Sequence, residues 1–431
     1  MSSPYKKVAF YTLGCKLNFT ETSTIARDFV KAGYIKVNFK EDADIYVINT
    51  CSVTENADNK AQKLIKKIKL KAPDSYIAVV GCYAQLQYKK ISEIPGVNIV
   101  LGAEDKFNLP DYINNYYNQK NIFFDSDINR ISDFEPSYSL DERTRSFVKI
   151  QDGCDYSCSF CTIPIARGRS RSGTISEVVK MIKNIGNTGV NEVVLSGINV
   201  GDFGVNNNES LIDLLQRIEL LDGIKRFRIS SIEPNLLSDE IINFIASSKK
   251  ILPHFHVPLQ SGSDKILKLM KRRYKSDLYA LKIKKIKDLI PNASIGVDVI
   301  VGFPSETDED FLTTYDFLNN LDITYLHVFS YSERQNTKSI SISNRVADDV
   351  KKERRKLLSL LSDYKKELFI KKNLKKNFDV LFEAYENGYL SGLTDNYIRV
   401  HVRGNKELIN KICKIKLIDF NGEFVKGEII H

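Results

Sequence analysis

The stretch Gln151-Asp-Gly-Cys154-Asp-Tyr-Ser-Cys158-Ser-Phe-Cys161 places three cysteines within eight residues, at the end of a predicted strand (147–151). Three thiolates this close in sequence can fold round one side of a metal cluster, whereas iron–sulfur cubes are normally bound by four cysteines. One iron would then lack a protein ligand. An open coordination position of this kind marks a site for a substrate or cofactor.

A structural zinc site is the main alternative for these three thiols. Structural zinc is almost always bound by four protein ligands, usually cysteine and histidine. No histidine occurs between Met1 and Lys250, so a nearby fourth ligand of that type is lacking. A cluster with one open iron is therefore the favoured interpretation.

Strands and amphipathic helices alternate on the C-terminal side of this stretch, as far as about Arg345. Six strands are predicted: 147–151, 192–196, 226–230, 255–259, 294–301 and 324–329. Six β/α repeats predict an incomplete barrel related to the eight-stranded form, with its chemistry at the C-terminal ends of the strands. An open doubly wound sheet is the alternative.

A second set of cysteines, Cys15, Cys51 and Cys82, lies in the N-terminal region. Strands predicted at 8–13, 45–49 and 76–80 alternate with helices there, which indicates a parallel α/β sheet. Each cysteine follows one of these strands. Because the carboxyl ends of parallel strands meet at one edge, three thiolates there could hold a second cluster. Three separate buried structural cysteines are the alternative.

The remaining regions complete the predicted domains. A long basic helix, 348–372, precedes short strands at 378–383, 388–393, 397–402 and 414–420, which indicate a small antiparallel barrel of the OB type. Cys413 in this region is expected to pack as a small apolar side chain. The predicted domains are an N-terminal domain, a polar linker, a partial barrel with its basic helix, and a C-terminal barrel: 1–124, 125–144, 145–372 and 373–431.

Charge and cysteine usage indicate the partners and the compartment. The net charge is +9, and residues 60–71 hold six lysines without an acid, whereas 348–376 hold eleven basic and five acidic residues. Such clusters suit RNA, although a solvated helix face is the alternative. An odd cysteine count argues against a disulfide framework. With no apolar run of about 18 residues and no leader pattern, we expect a cytoplasmic protein without membrane contact.

Two other features occur near predicted strand ends. His254 and His256 occupy one face of a strand, where they either line the barrel mouth or are hydrogen-bonded within the core. Glycines such as Gly197, Gly201 and Gly302 follow strands and would allow the backbone to approach a cofactor closely.

The spacing of Cys154, Cys158 and Cys161 resembles the signature of the radical S-adenosylmethionine superfamily, and the whole chain resembles its methylthiotransferase branch. It is most similar to the MtaB type, which methylthiolates N6-threonylcarbamoyladenosine at position 37 of tRNA. The motifs that carry this resemblance are Thr12-Leu-Gly-Cys15-Lys-Leu-Asn18, Asn49-Thr-Cys51-Ser-Val-Thr54, Gly81-Cys82-Tyr-Ala-Gln85 and Ile163-Pro-Ile-Ala-Arg-Gly168-Arg-Ser-Arg-Ser172. Residues 382–397 resemble the RNA-binding TRAM barrel.

The resemblance implies two [4Fe-4S] clusters and S-adenosyl-L-methionine as cofactors. The first cluster would be bound by Cys154, Cys158 and Cys161 and would chelate S-adenosylmethionine. The auxiliary cluster, linked to the sulfur to be donated, would be bound by Cys15, Cys51 and Cys82. The implied contacts to the cofactor are Ser196, Gly197 and Glu233. No catalytic acid or base is implied.

The implied reaction explains why cofactors are needed. Carbon 2 of adenine carries an unactivated C–H bond that no side-chain acid or base can break, so a cofactor must supply the difficult step. The partners implied are the tRNA anticodon loop, an external one-electron donor and a sulfur source, and we expect a monomer. The target base lies in a single-stranded loop, where bases can be splayed out.

Three positions depart from the family pattern, and three rival functions stay open. Ser305 and Asn336 stand where glycine is usual, and Ser330 stands where proline is usual, near the expected adenine pocket. Two rivals are methylthiotransferases, one acting on isopentenyladenosine-37 of tRNA and the other on an aspartate of a ribosomal protein. The third is a noncatalytic RNA-binding protein with structural metal.

Overall fold

The computed structural model describes residues 6–52, 55–117, 119, 122–124, 128, 131–140 and 144–430. Two compact units are present. The first comprises Met1–Leu140, Phe147–Ser172 and Ser332–Ile340, and the second comprises Asp141–Ser146, Gly173–Tyr331 and Ser341–His431. Much of the predicted linker, and Val53 and Thr54 of the second cysteine motif, lie outside the described residues, so the predicted domain boundaries stay a prediction.

The first unit is built on a six-stranded parallel sheet with the order β2-β1-β3-β4-β5-β6. Its strands are β1 (Lys7–Thr12), β2 (Ile35–Val37), β3 (Ile45–Thr50), β4 (Tyr76–Gly81), β5 (Val97–Leu101) and β6 (Ile122–Phe124). Every residue of β3 and β4 is buried, as expected of central parallel strands that are covered on both faces. The predicted parallel sheet is confirmed, with β2, β5 and β6 in addition to the three predicted strands.

Helices cover both faces of this sheet. They are α1 (Lys16–Lys31), α2 (Glu55–Lys71), α3 (Cys82–Leu86), α4 (Tyr88–Ser92) and α5 (Leu109–Tyr116). A further helix, α6 (Ile163–Arg167), packs against α3. Ile65 of α2 packs in one buried cluster with Ile48 and Val79, whereas Phe29 of α1 packs in a second cluster with Val47. Short strands follow the sheet in sequence: β7 (Ser137–Tyr138), β8 (Arg145–Lys149), β9 (Gln151–Asp152) and β10 (Arg171–Ser172).

The second unit contains parallel strands that alternate with helices. The strands are β11 (Glu192–Ser196), β12 (Arg226–Ile229), β13 (His254–His256), β14 (Ser294–Val301) and β15 (Tyr325–Ser330). The helices are α7 (Ile175–Gly186), α8 (Leu211–Glu219), α9 (Asp239–Ser247), α10 (Asp264–Leu269), α11 (Ser276–Leu289), α12 (Asp308–Asn320) and α13 (Asp348–Asn373). All the strand pairs are parallel, and single bridges link β12 to β13. The predicted β/α alternation is confirmed.

The strand predicted at 255–259 differs most from its predicted bounds, whereas β12 and β15 differ by a single residue at one or both ends. Regular pairing of the strand predicted at 255–259 ends at His256. Pro258 has no N–H to donate, and the chain continues with separate bonds from Val257 to Gly296 and from Leu259 to Asp298. The array therefore contains a short strand followed by an irregular extended segment.

The chain ends in a closed five-stranded barrel with the order β16-β17-β18-β20-β19. Its strands are β16 (Asn377–Glu386), β17 (Tyr389–Thr394), β18 (Arg399–Arg403), β19 (Ile412–Phe420) and β20 (Val425–Ile429). Phe369 and Ile370 of α13 pack into its core, and Cys413 packs against that core as expected. Among the described residues, none of the helices combines the length and the apolar composition needed to cross a membrane.

Candidate metal centres

Cys15, Cys51 and Cys82 lie at the C-terminal edge of the first unit's sheet. Cys15 precedes α1, Cys51 directly follows β3, and Cys82 begins α3 directly after β4. A Cβ atom added to Gly14, whose φ is +106°, would lie 2.4 Å from the Cys51 Cβ and 2.8 Å from its Sγ. Glycine is therefore required here, because it lets the loop before Cys15 pack directly against Cys51.

Buried polar side chains tie together the three segments that carry these cysteines. Asn18 donates from Nδ2 to the carbonyl oxygens of Leu13 (2.8 Å) and Thr50 (2.9 Å), and its Oδ1 lies 3.8 Å from the Cys15 Sγ. Thr50 donates from Oγ1 to the carbonyl of Val80 at 2.6 Å. These bonds fix the spacing of the thiols before any metal binds.

Arg167, at the end of α6, contacts this group of thiols directly. Its Nε donates to the Cys82 Sγ at 3.2 Å, and its Nη2 donates to the Asn18 Oδ1 at 2.6 Å. Its Nη1 donates to Glu21 and to Asp152, both at 2.9 Å. The side chain is 1% exposed. A fully buried guanidinium therefore connects the N-terminal thiols to the segment that follows the other three cysteines.

Arg167 belongs to a buried cluster of six charged side chains. The members are Glu21, Lys106, Lys149, Asp152, Arg167 and Arg171. Four cations face two carboxylates, which leaves a formal excess of two positive charges beside the thiols. Burial would raise the pKa of Glu21, but Arg167, Lys106 and Lys149 outweigh it and hold that pKa well below its usual range. An excess of buried positive charge favours thiolate ligands.

At Cys82 the balance has the opposite outcome. Burial raises the pKa of its thiol above the usual value, and the positive charge of Arg167 offsets only part of that rise. Both Cys51 and Cys82 are buried, whereas Cys15 is exposed. Three thiols that share a sheet edge, with a cationic donor on one sulfur, fit the requirements of an iron–sulfur cluster.

Cys154, Cys158 and Cys161 lie in a loop that is held by its own backbone hydrogen bonds and by one to Gly168. The Cys154 N–H donates to the Gly168 carbonyl at 3.1 Å, and the Cys161 N–H donates to the Cys158 carbonyl at 3.2 Å. Backbone N–H groups of Tyr156 and Ile163 donate to the sulfurs of Cys154 and Cys161, each at 3.4 Å. Such donors stabilise cluster thiolates, so this donor set also fits a cluster.

The predicted cofactor contacts belong to the second unit. Ser196 ends β11 and Gly197 follows it, so both lie at the carboxyl end of a strand, where barrel enzymes bind their ligands. Ser196 is buried and donates to the Val194 carbonyl at 3.2 Å. Glu233 forms an ion pair with Arg272. Their role toward S-adenosylmethionine stays a prediction.

The strand histidines are hydrogen-bonded. His254 Nε2 bonds to the Tyr325 hydroxyl at 2.8 Å. Asp298 Oδ1 lies 2.8 Å from His256 Nε2 and 3.0 Å from His327 Nδ1. Burial would raise the pKa of Asp298, but the two histidines lower it well below its usual range. The hydrogen-bonded interpretation is thus confirmed, and sequence reasoning missed Asp298 and His327, whose separation of 29 residues hides their contact.

Two of the departures from the family pattern have a common backbone feature. Ser305 and Asn336 adopt positive φ angles, 68° and 67°. Glycine is the residue that takes this conformation without steric cost, which explains why it is usual at both positions. In this protein, Ser305 and Asn336 adopt that backbone conformation although each carries a side chain.

Comparison with known proteins identifies the family of this chain. Residues 148–318 match the Radical SAM superfamily, and residues 7–102 match Uncharacterized protein family UPF0004. The radical S-adenosylmethionine methyltransferase TsrM from Kitasatospora setae shares the fold, with a TM-score of 0.54 at 12% identity over 75% of this chain and 73% of that one. The chain is therefore a member of the radical S-adenosylmethionine superfamily, and the predicted three-part α/β fold class is confirmed.

Relatives over nearly the whole length identify the branch. The threonylcarbamoyladenosine tRNA methylthiotransferase MtaB of Bacillus subtilis (strain 168) is 38% identical over 98% of this chain and 96% of that protein. The MtaB of Aquifex aeolicus (strain VF5) is 36% identical, with 95% and 99% covered. A tRNA-2-methylthio-N(6)-dimethylallyladenosine synthase of Lachnoclostridium phytofermentans is 34% identical, with 97% and 94% covered. This chain belongs to the MtaB type of the methylthiotransferase family.

Proposed function

We propose that this protein is a tRNA methylthiotransferase that converts N6-threonylcarbamoyladenosine at position 37 to its 2-methylthio derivative. One observation carries the proposal: two sets of three cysteines lie in one compact unit, where the buried Arg167 donates to Cys82 of one set and to Asp152, two residues before the other set. The full-length similarity to the MtaB proteins of two bacteria supports the choice of substrate. Superfamily membership itself implies one [4Fe-4S] cluster and S-adenosylmethionine.

The cysteines supply the ligands. Cys154, Cys158 and Cys161 would hold the cluster that binds S-adenosylmethionine, and Cys15, Cys51 and Cys82 would hold a second [4Fe-4S] cluster. When bound, the clusters and S-adenosylmethionine would supply the radical chemistry that replaces an unactivated C–H bond with a C–S bond, and a second S-adenosylmethionine would supply the methyl group on the sulfur.

The side chains around the second set of ligands hold them and balance their charge. Arg167 orients the Cys82 sulfur with its Nε–H. Asn18 and Thr50 fix the loops before Cys15 and Cys51, and burial of Cys51 and Cys82 keeps water from two of the ligands. A readily solvated cluster would exchange its ligands more easily, so this shielding favours a persistent second cluster.

Three surfaces supply phosphate contacts to the anticodon loop in this proposal. Five of the six lysines of the 60–71 cluster are exposed, as are most basic residues of α13. The C-terminal barrel would act as the TRAM domain within the boundaries 373–431. The electron donor and the sulfur source are external partners, and the protein would act in the cytoplasm as a monomer, with S-adenosylmethionine contacted by Ser196, Gly197 and Glu233.

Isopentenyladenosine-37 is the second candidate substrate, because a relative named for the dimethylallyl product is 34% identical to this chain. Nucleoside mass spectrometry distinguishes the two. We expect tRNA from cells lacking this protein to lose the 2-methylthio form of threonylcarbamoyladenosine, and the wild-type chain and Cys413→Ala to restore it, but not Cys82→Ala. If the 2-methylthio form of dimethylallyladenosine were lost instead, isopentenyladenosine-37 would be the substrate. An unchanged nucleoside profile would reject the tRNA function and leave the ribosomal protein as the target.

A further inference from the structure

A cavity of about 460 Å³ lies within the second unit, where β14, β15, α13 and the C-terminal barrel meet. This volume is in the range of roughly 300–1,000 Å³ that is usual for small-ligand pockets. We name it the barrel pocket. It is lined by Tyr325, His327, Lys366, Arg399, His401 and Phe424, among others.

Planar rings form part of the wall of the barrel pocket. His401 and Phe424 stack with their centroids 4.8 Å apart and their planes 22° apart. Tyr397 stacks on His254 at 4.1 Å and 16°. Both rings of the first pair are only partly buried, so the stack borders the cavity. Aromatic faces at a pocket are the surfaces on which proteins stack unpaired nucleobases.

Charged and polar groups complement the rings. Lys366 and Arg399 are exposed at the rim. The side chain of Arg399 is half exposed, and its pair with Glu383, at 3.2 Å, can yield to a phosphate. The carboxylates of Asp363 and Glu423 also line the cavity and can accept hydrogen bonds from exocyclic amino groups. Stacking surface, phosphate-binding cations and base-edge acceptors thus occur together.

The position of the barrel pocket indicates which nucleotide it takes. Ser294 and Thr324, which line it, lie at the amino-terminal starts of β14 and β15. Chemistry in β/α barrels occurs at the opposite, carboxyl-terminal ends of the strands. The reacting base therefore binds elsewhere, and the pocket suits a different unpaired nucleotide of the same loop.

We propose that the barrel pocket binds one unpaired anticodon-loop nucleotide other than the reacting adenosine, with its base against His401 and Phe424 and its phosphate at Lys366 and Arg399. This inference rests on the proposed function, since it takes tRNA as the ligand. Binding there fixes the register of the loop and leaves the chemistry to the cysteine sites.

The test uses anticodon stem-loops that carry 2-aminopurine at each loop position in turn, mixed with the cluster-loaded protein. We expect stacking to quench the fluorescence at one position other than 37. His401→Ala combined with Phe424→Ala should remove that quenching and weaken binding roughly 5- to 150-fold, the range for loss of one stacked base. If circular dichroism shows that this variant is unfolded, His401→Leu with Phe424→Leu keeps apolar volume and removes the planar rings.

The matched control is Leu312→Ala with Lys284→Gln, an exposed apolar side chain and an exposed cation of the same unit that lie outside the pocket and outside the three proposed RNA surfaces. It should change the affinity by less than about twofold and keep the quenching. Retained quenching in a folded pocket variant, or an equal loss of affinity in the control, would overturn the inference. Wild-type protein that shows the quenching but leaves tRNA unmodified would reject the proposed function and retain the pocket.

Discussion

Arg167 links the Cys82 thiol to Asp152, two residues before the first cysteine of the other set. It follows the 154–161 loop in sequence and donates a hydrogen bond to Cys82 in the other set. It also donates to Glu21 and Asp152, which are buried and which Lys106, Lys149 and Arg171 also contact. Removing the guanidinium is costly because the buried acceptor oxygens of Glu21, Asp152 and Asn18 each lose a donor.

Replacing Arg167 with glutamine should therefore lower both stability and metal retention. We expect a loss of about 3–5 kcal/mol in the free energy of unfolding, measured by urea titration. After anaerobic reconstitution, the iron content should fall selectively at the N-terminal set. Arg169→Gln is the matched control, because Arg169 is exposed two residues away. Equal stability of the two variants would show that the buried guanidinium has no structural role.

Ser305 tests the backbone explanation for a departure from the family pattern. Its φ of 68° favours glycine over alanine, so Ser305→Gly should be more stable than Ser305→Ala by about 1 kcal/mol. Both variants lose the bond from the Ser305 hydroxyl to Ser343, so that contact cancels in the comparison. At Ser359, exposed within α13, the order should reverse by a similar amount because glycine weakens a helix. If the alanine variant were the more stable one at Ser305 as well as at Ser359, the positive φ of Ser305 would be contradicted.

At the scale of elements, buried strands and periodic helices were predictable from sequence, whereas short elements were not. The strands predicted at 45–49 and 76–80 correspond to β3 and β4, and the bounds of β11 and β14 matched the prediction. β2 and β6 have three residues each, too few to show a period. β20 contains Gly427, which leaves room for Ile415 across the barrel but weakens the strand pattern.

The start of α12 provides a prediction about pH. Asp310 completes a capping box with Thr307 and is also paired with Lys265 at 2.6 Å. Burial acts to raise the pKa of Asp310, but the bonds from Lys265 and Thr307 lower it to about 2. Because the folded pKa lies below the unfolded value of about 3.9, the stabilisation is present above pH 4 and is lost as the pH falls towards 2.

Asp310→Asn should thus cost roughly 1 kcal/mol at pH 7, after allowance for solvent screening, and the difference from wild type should narrow as the pH is lowered from 6 to 3. Urea titrations at several pH values measure this. The control is Asp213→Asn at the equivalent capping position of α8. The Asp213 side chain is exposed, and its only described partner is Ser210. A constant difference across this pH range would contradict the pKa argument.

In the whole molecule, the sequence predicted which residues could bind metal but not what surrounds them. Strand-end positions were sufficient to place Cys15, Cys51 and Cys82 along one edge, because parallel strands share an orientation. The contact of Arg167 with Cys82 joins residues 85 apart, and no local pattern specifies such a pair. In the sequence, Arg167 is visible only as an arginine before Gly168 in the motif that follows Cys161. An arginine at such a position is ordinarily expected to be exposed, so its burial beside Cys82 was not predicted.

The two sets of cysteines should fail in different ways when mutated. Cys158→Ala should abolish cleavage of S-adenosylmethionine, because the cluster that binds this cofactor loses a ligand. Cys82→Ala should keep some cleavage but insert no sulfur. Deoxyadenosine release and nucleoside mass spectrometry measure the two steps separately, and Cys413→Ala is the control for loss of a thiol. Normal sulfur insertion by Cys82→Ala would refute the division of roles.

The most direct measurement is the metal content of the protein purified and reconstituted without oxygen. We expect about eight iron atoms and eight inorganic sulfides per chain, corresponding to two four-iron clusters. A triple variant of Cys15, Cys51 and Cys82 to alanine should retain about four, as should the triple variant of Cys154, Cys158 and Cys161. About four iron atoms in the wild-type chain, or zinc in their place, would contradict the account.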